Sequence, residues 1–160
     1  MAWETVKKRL YEWNGKTYAH SEQDLENPDY SKGIDCSELT EYAFKTSEGF
    51  EDIPDGARSQ YLWCKKRGFK ELSREEALKK EGALAFTFKT GSNYESGFSV
   101  PHVGVMLGNG QVFHAINGKM GVKATSCWKS TFHKFFDLFP SQSPATNEVN
   151  EPEKEEGCEC

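Results

Sequence analysis

The chain has 160 residues, of which 36% are hydrophobic and 13% aromatic, so one domain with a core of its own is expected. The formal net charge of −5 falls on residues 141–160, which carry six glutamates and one lysine. The remaining body is close to neutral and lacks the clustered basic face that binds nucleic acid. We therefore predict a folded domain over residues 1–140 and an acidic, disordered tail over residues 141–160.

Targeting signals and a disulfide framework are both missing from the sequence. No apolar run is long enough to cross a bilayer, and the first ten residues lack the apolar segment of a signal peptide. We therefore expect synthesis in the cytoplasm without membrane insertion. The five cysteines are odd in number and scattered, unlike a disulfide scaffold. Cys64 and Cys127 are expected to pack in the core, and Cys158 and Cys160 to be free thiols.

The first half of the chain is predicted to be mainly helical. Four large apolar residues at helical spacing predict a helix over residues 1–15: Trp3, Val6, Leu10 and Trp13. After a polar, turn-rich stretch, Asp35 is predicted to cap a helix that begins at Cys36, with Glu38 completing a capping box. Further helices are predicted over residues 57–67, ended by Gly68, and over residues 73–80, capped by Ser73.

The second half of the chain is predicted to form strands. Runs rich in β-branched and aromatic residues predict them over residues 82–88, 103–107, 112–116, 122–126 and 132–139. The second and third are joined by Gly108-Asn109-Gly110, a strong hairpin signal. Helices followed by strands indicate an α+β domain with an antiparallel sheet.

Cys36 is the first candidate for chemistry. Directly after a capping residue, it would occupy the first helical position, where unpaired amide hydrogens and the helix dipole favour an anion. Cysteines in such places have lowered pKa values, which suits a nucleophilic thiolate. Nearby amides could also stabilise the oxyanion of a tetrahedral intermediate. The alternative from position alone is a buried cysteine that packs as a small hydrophobe.

Two histidines of the predicted hairpin could assist the thiol. His102 would open the first strand as a base, and His114 in the partner strand could orient it; each could equally be an ordinary strand histidine. A two-residue Asn-Gly turn would place them on opposite faces. A three-residue loop over residues 108–110 would pair Gly104 with His114 and put both histidines on one face, about 7–8 Å apart at the backbone. The catalytic interpretation requires the three-residue loop, with Gly110 in the left-handed conformation.

Both motifs resemble those of the NlpC family of bacterial cell-wall peptidases. Residues 33–37 (GIDCS), leading into a helix, resemble the Asp-Cys-Ser nucleophile motif of that family. Residues 101–104 (PHVG), continuing through residues 108–110 (GNG) to residues 114–115 (HA), resemble its second motif. The order, with cysteine before histidine, is not that of the circularly permuted relatives. Weaker matches to the helix and strand between the motifs lie at residues 58–60 (RSQ) and 82–84 (GAL).

The resemblance covers about residues 18–139 and implies a papain-like fold, in which a nucleophile helix packs on an antiparallel sheet. It implies a cysteine peptidase that hydrolyses the amide between D-γ-glutamate and a diamino acid in peptidoglycan stem peptides. Carried over, Cys36 is the nucleophile, His102 the base and then the acid, and His114 the residue that orients His102. Asp35, Ser37 and Tyr18 would line the substrate cleft. We expect no cofactor and no metal, and we expect the protein to be a monomer.

Two departures from the family pattern leave the substrate open. Glu38 replaces a usual glycine and could narrow the cleft or select a cationic group, and Ala83 replaces a usual aspartate. The same three residues could serve an amidase, a deamidase or an acyltransferase. The fold could also serve as a non-catalytic binding module, and one cysteine with two histidines could bind zinc. His20 and His133 lie outside the motifs and are expected to be surface or packing residues.

The missing signal peptide bears on where the enzyme would work. With no export segment and no second wall-binding module, the sequence fits a phage or prophage lytic protein, or an injected effector. Such a protein would act on the cell wall after release or injection.

Overall fold

Helices occupy the first half of the chain and strands the second in the computed structural model, which describes residues 2–20, 22–91, 97–126 and 132–140. The helices are α1 (Ala2–Tyr11), α2 (Cys36–Lys45), α3 (Ala57–Arg67) and α4 (Arg74–Leu78), with a 3-10 turn at Tyr30–Lys32. The strands are β1 (Lys70–Leu72), β2 (Glu81–Thr90), β3 (Phe98–Leu107), β4 (Val112–Ala115), β5 (Val122–Thr125) and β6 (Lys134–Asp137). Residues 141–160, predicted to be a disordered tail, lie outside the described residues.

The strands form one six-stranded sheet in the order β1-β6-β2-β3-β4-β5. Every neighbouring pair is antiparallel, which confirms the predicted α+β class. Sequence reasoning missed β1, a three-residue strand at the edge of the sheet that pairs only with β6. It also began β3 too late. The strand starts at Phe98, so His102 lies within it and does not open it.

The helix ends follow local side-chain chemistry. Asp35 caps α2, since its Oδ1 accepts a hydrogen bond from the Glu38 amide at 2.9 Å. The predicted capping box is wrong in its second half, because the Glu38 carboxylate accepts instead from the amide of Gln23 at 3.2 Å. The box at Ser73 and Glu76 is present, and α3 ends at Gly68, whose φ of 73° is left-handed.

The core has two parts, one on each face of the sheet. The larger part joins α1, α2 and α3 to alternate residues of the central strands, such as Val103, Val105 and Phe113. The smaller part includes Met106, Val112 and Phe132, and α4 contributes Ala77. Burial of each large apolar side chain contributes on the order of 1.5–3 kcal/mol. Among the described residues, no helix combines the length and apolar character that crossing a bilayer requires.

The β3–β4 hairpin has the three-residue loop. Val105 opposes Phe113, Met106 opposes Val112, and the Leu107 amide donates to the Gln111 carbonyl at 2.9 Å. Gly110 has a φ of 81°, the left-handed conformation that this loop needs. The same register sets His114 opposite residue 104, so the two histidines lie on one face of the sheet.

Candidate active site

The candidate nucleophile lies where α2 meets the sheet. Cys36 is the first residue of α2 and is 8% exposed. The backbone N–H groups of Val103, Ser37 and Cys36 itself lie near the sulfur and favour its thiolate form. Val103 directly follows His102 in β3. The thiol therefore lies against the strand that carries His102, one residue further along.

Burial decides the protonation state of this thiol. It raises the pKa of Cys36 to about 11, and the negative charge of Asp35 acts in the same direction. The three backbone amides favour the thiolate but do not offset the loss of hydration. The predicted lowering of this pKa is therefore wrong, and Cys36 is a neutral thiol at pH 7.

The two hairpin histidines are hydrogen-bonded to each other. Nε2 of His102 lies 2.7 Å from Nδ1 of His114, and both side chains are buried. Burial lowers the pKa of His102 to about 4 and that of His114 well below its usual value, so both rings are neutral at pH 7. Since Nε2 of His102 is engaged by His114, Nδ1 is the nitrogen left to serve the thiol.

Residue 104, which follows His102 and Val103, has no room for a side chain, and this explains why it is a glycine. A Cβ added there would lie 2.7 Å from the Val112 side chain, 3.1 Å from Cβ of His114 and 3.2 Å from the Phe132 ring. Without a side chain at residue 104, His114 and Phe132 can both approach β3. The Phe132 ring centroid lies 5.4 Å from each imidazole centroid and gives the histidine pair an apolar cover.

The hydrogen-bonded row continues to a residue that sequence reasoning missed. Nε2 of His114 lies 2.8 Å from the hydroxyl oxygen of Thr125, which is fully buried at the end of β5. Only the pairing of β4 with β5 brings these residues together. The spacing of residues 114 and 125 alone did not indicate it.

Tyr18 is brought to the site by backbone pairing. It forms a parallel bridge with Ile34, and the Ile34 amide donates to the Thr17 carbonyl at 3.1 Å. Burial raises the pKa of Tyr18 to about 12, and the negative charges of Asp35 and of Cys36, once its thiol ionises at high pH, act in the same direction. The phenol therefore lies close to the start of α2, although it precedes Cys36 by eighteen positions in the sequence.

His20 also belongs to this neighbourhood, although no sequence motif singled it out. Its Nδ1 lies 3.3 Å from Oδ2 of Asp35, and its Nε2 lies 3.3 Å from the Tyr18 hydroxyl. Ser37 is 8% exposed and donates its hydroxyl hydrogen to Oδ1 of Asp35 at 3.2 Å. Asp35 is thus the common partner of the polar groups at this end of α2.

Glu38 is directed into the protein and not into open solvent. It is 9% exposed, and burial raises its pKa, with further contributions from the charges of Asp35 and Asp55. Gln23, whose amide donates to Glu38, also bonds through its side chain to Asp29 and to the Gly33 carbonyl. Glu38 therefore anchors the loop before the nucleophile.

A second buried amide anchors the first turn of α2. Gln60, fully buried on α3, donates to the Ser37 carbonyl at 2.9 Å and accepts from the Thr40 hydroxyl at 2.6 Å. It also donates to the carbonyl of Pro54 at 3.0 Å. These bonds fix the turn that carries Cys36 relative to α3.

Other candidates from the sequence fall outside this cluster. Cys64 is fully buried in α3, as predicted, and Cys127, Cys158 and Cys160 lie outside the described residues. Within the described part of the chain, no group of three or more His, Cys, Asp or Glu side chains is arranged to hold a metal ion. His114 already uses both ring nitrogens, for His102 and the Thr125 hydroxyl.

Comparison with known proteins places this geometry in a family. Residues 8–139 match the sequence profile of the NlpC/P60 family. Over 113 residues the chain is 32% identical to the bifunctional muramidase/DL-endopeptidase CwlT of Bacillus subtilis. The match covers 71% of this chain but only 29% of CwlT, so the chain spans less than a third of that relative.

Solved structures agree with the sequence match. The peptidoglycan hydrolase RipB of Mycobacterium tuberculosis superimposes with a TM-score of 0.64 at 26% identity, covering 86% of this chain and 64% of that one. The P60 domain of an antigen from M. avium subspecies paratuberculosis gives a TM-score of 0.62 at 26% identity, covering 85% and 93%. These likenesses confirm the predicted papain-like fold. The chain belongs to the NlpC/P60 family.

Proposed function

We propose that this protein is a thiol hydrolase that cleaves amide bonds in the stem peptides of peptidoglycan, with Cys36 as nucleophile. The observation that carries the proposal is the buried hydrogen bond of 2.7 Å between His102 and His114, next to a cysteine at a helix start. Its relatives include a DL-endopeptidase and a peptidoglycan hydrolase, which supports this substrate class. More specifically, we propose that it is an endopeptidase that cleaves the bond between D-γ-glutamate and a diamino acid.

In the mechanism that we propose, attack and proton transfer occur together. Cys36 and His102 both start neutral, so the thiol gives its proton to Nδ1 of His102 as its sulfur attacks the amide carbon. Backbone N–H groups at the start of α2 stabilise the oxyanion. His102 then protonates the leaving amine, which leaves a thioester on Cys36. Water, deprotonated by His102, hydrolyses that thioester and restores the thiol.

The substrate would meet a negatively charged surface beside the nucleophile. The negative charges of Asp35 and Asp55 act on both Glu38 and Glu41, where they add to the effect of burial in raising the pKa values of the two glutamates. Such a field favours a substrate that presents a free amino group near the scissile bond. We propose that Asp35, Ser37 and Tyr18 line this part of the cleft. An amino group bound to Asp35 would take the place of the His20 imidazole.

The test is digestion of purified peptidoglycan, with the released fragments identified by mass spectrometry. We expect the wild-type protein to release fragments whose masses identify a cleaved γ-glutamyl bond, and Cys36→Ala to release none. Cys64→Ala is the matched control, since it removes a second buried thiol that lies in α3 and should leave cleavage intact.

Three results would count against this proposal. Wild-type protein that releases no fragments from walls of several chemical types would refute the peptidoglycan assignment. Release that persists in Cys36→Ala would refute the thiol mechanism. Fragments that result from deamidation or acyl transfer would replace the endopeptidase by one of the other activities that the same three residues could support.

A further inference from the structure

We infer that Thr125 is a positioning residue of this site, because its hydroxyl oxygen accepts a hydrogen bond from Nε2 of His114 and thereby sets the tautomer of His102. The inference rests on the proposed function, in which His102 takes the proton of Cys36. It adds a fourth residue to the row that begins at the thiol. Nothing in the sequence motifs of the chain points to Thr125.

The row runs diagonally across three neighbouring strands. Nε2 of His102 on β3 lies 2.7 Å from Nδ1 of His114 on β4, and Nε2 of His114 lies 2.8 Å from Oγ1 of Thr125 on β5. Thr125 opposes Val112, two residues before His114, so the two side chains are diagonal neighbours on one face. His114 and Thr125 are fully buried, and His102 is 8% exposed.

A count of hydrogens fixes the direction of both bonds. Once His102 has taken a proton from Cys36, it carries hydrogens on both ring nitrogens, so its Nε2 can only donate. Nδ1 of His114 must then accept. Since burial and the charge of His102 hold the pKa of His114 well below its usual value, His114 stays neutral and carries its one ring hydrogen on Nε2. Thr125 receives that hydrogen bond through a lone pair of its oxygen.

The opposite direction would disable the base. If Thr125 donated to His114, then His114 would donate to His102, whose single ring hydrogen would lie on Nδ1. A ring in that state cannot accept the proton of Cys36. The Phe132 ring packs 5.4 Å from both imidazole centroids, and His114 is fully buried, so the hydroxyl of Thr125 is the group that satisfies Nε2 of His114.

Two substitutions at this position separate the hydrogen bond from packing. Thr125→Val keeps the shape of the side chain and removes the hydroxyl, whereas Thr125→Ser keeps the hydroxyl and removes a methyl group. With peptidoglycan fragments as substrate, we expect Thr125→Val to lower kcat by about tenfold to a hundredfold, with KM little changed. Thr125→Ser should restore most of kcat, even if it unfolds at a lower temperature than Thr125→Val.

Nuclear magnetic resonance of protein with ¹⁵N-labelled histidine provides a readout that does not depend on turnover. In the wild type at pH 7 we expect both His102 and His114 to carry hydrogen on Nε2, and in Thr125→Val we expect His114 to populate both tautomers. Hydrogen on Nδ1 of His114 in the wild type would overturn the inference, as would full kcat in a folded Thr125→Val. An inactive wild-type protein with the expected tautomers would refute the proposed function and still support this arrangement.

Discussion

The buried histidine pair should make the protein lose stability as the pH falls from 7 to 4. An unfolded chain protonates a histidine near its ordinary pKa of 6.5, whereas burial holds the pKa of His102 at about 4 in the folded state. Between these values the unfolded state binds more protons, so the free energy of unfolding decreases as the pH falls. The difference corresponds to about 3 kcal/mol for His102, at about 1.4 kcal/mol per pKa unit. The pKa of His114 is also lowered, so His114 adds a further loss of unfolding free energy as the pH falls.

The assay is urea unfolding followed by tryptophan fluorescence at pH 7, 6, 5 and 4, for the wild type and for His102→Gln. We expect the loss of unfolding free energy between pH 7 and 4 to be smaller in His102→Gln by about 3 kcal/mol. The cost of the substitution itself cancels, because each protein is compared with its own value at pH 7. When His114→Gln is added to the His102→Gln variant, the unfolding free energy should depend still less on pH. Identical pH profiles for all three proteins would refute the assignment of two neutral, buried imidazoles.

Three other predictions concern residues around the pair. Burial raises the pKa of Cys36 to about 11, so the rate of its alkylation by iodoacetamide should still increase with pH above pH 9. A rate that levels off near pH 7 would contradict the assignment of a neutral thiol. Gly104→Ala should reduce the free energy of unfolding by about 1–3 kcal/mol and lower activity, because the new methyl group displaces His114; wild-type stability in chemical denaturation would count against this. Gln60→Leu should cost about 1–3 kcal/mol in the same assay, because it removes the amide that donates to the carbonyls of Ser37 and Pro54 and accepts from the Thr40 hydroxyl. An unchanged midpoint would argue that water replaces the amide.

Local signals in the sequence predicted most elements of the fold. The end of α3 could be read from Gly68, and the start of α2 from Asp35. Elements that depend on partners were harder to predict. β1 has three residues and exists because β6 pairs with it, and β3 extends back to Phe98 because β2 continues alongside it.

The candidate site divides in the same way. Short motifs identified the three residues Cys36, His102 and His114. The length of the hairpin loop then predicted the strand register that brings the two histidines together. The sequence offered Gln60 only as part of a weak match and with no role. His20 and Thr125 could not be singled out, since tertiary structure brings them to Asp35 and His114. The lowered pKa predicted for the thiol was wrong because a helix start is a local feature, whereas burial by the sheet is a tertiary one.

The bridge between Tyr18 and Ile34 closes the intervening loop at its base. Since the two ends of the loop are already joined, the entropy of closing it varies only slowly with its length. Exposed residues of this loop that do not bond to α2, such as Glu26 and Asn27, can therefore be exchanged or extended with little strain on α2, whereas Gln23 holds Glu38 and must stay. The loop is a natural place for related enzymes to diverge in the substrates they accept, and a practical graft site for an engineer who wishes to change specificity without rebuilding the thiol and its histidines.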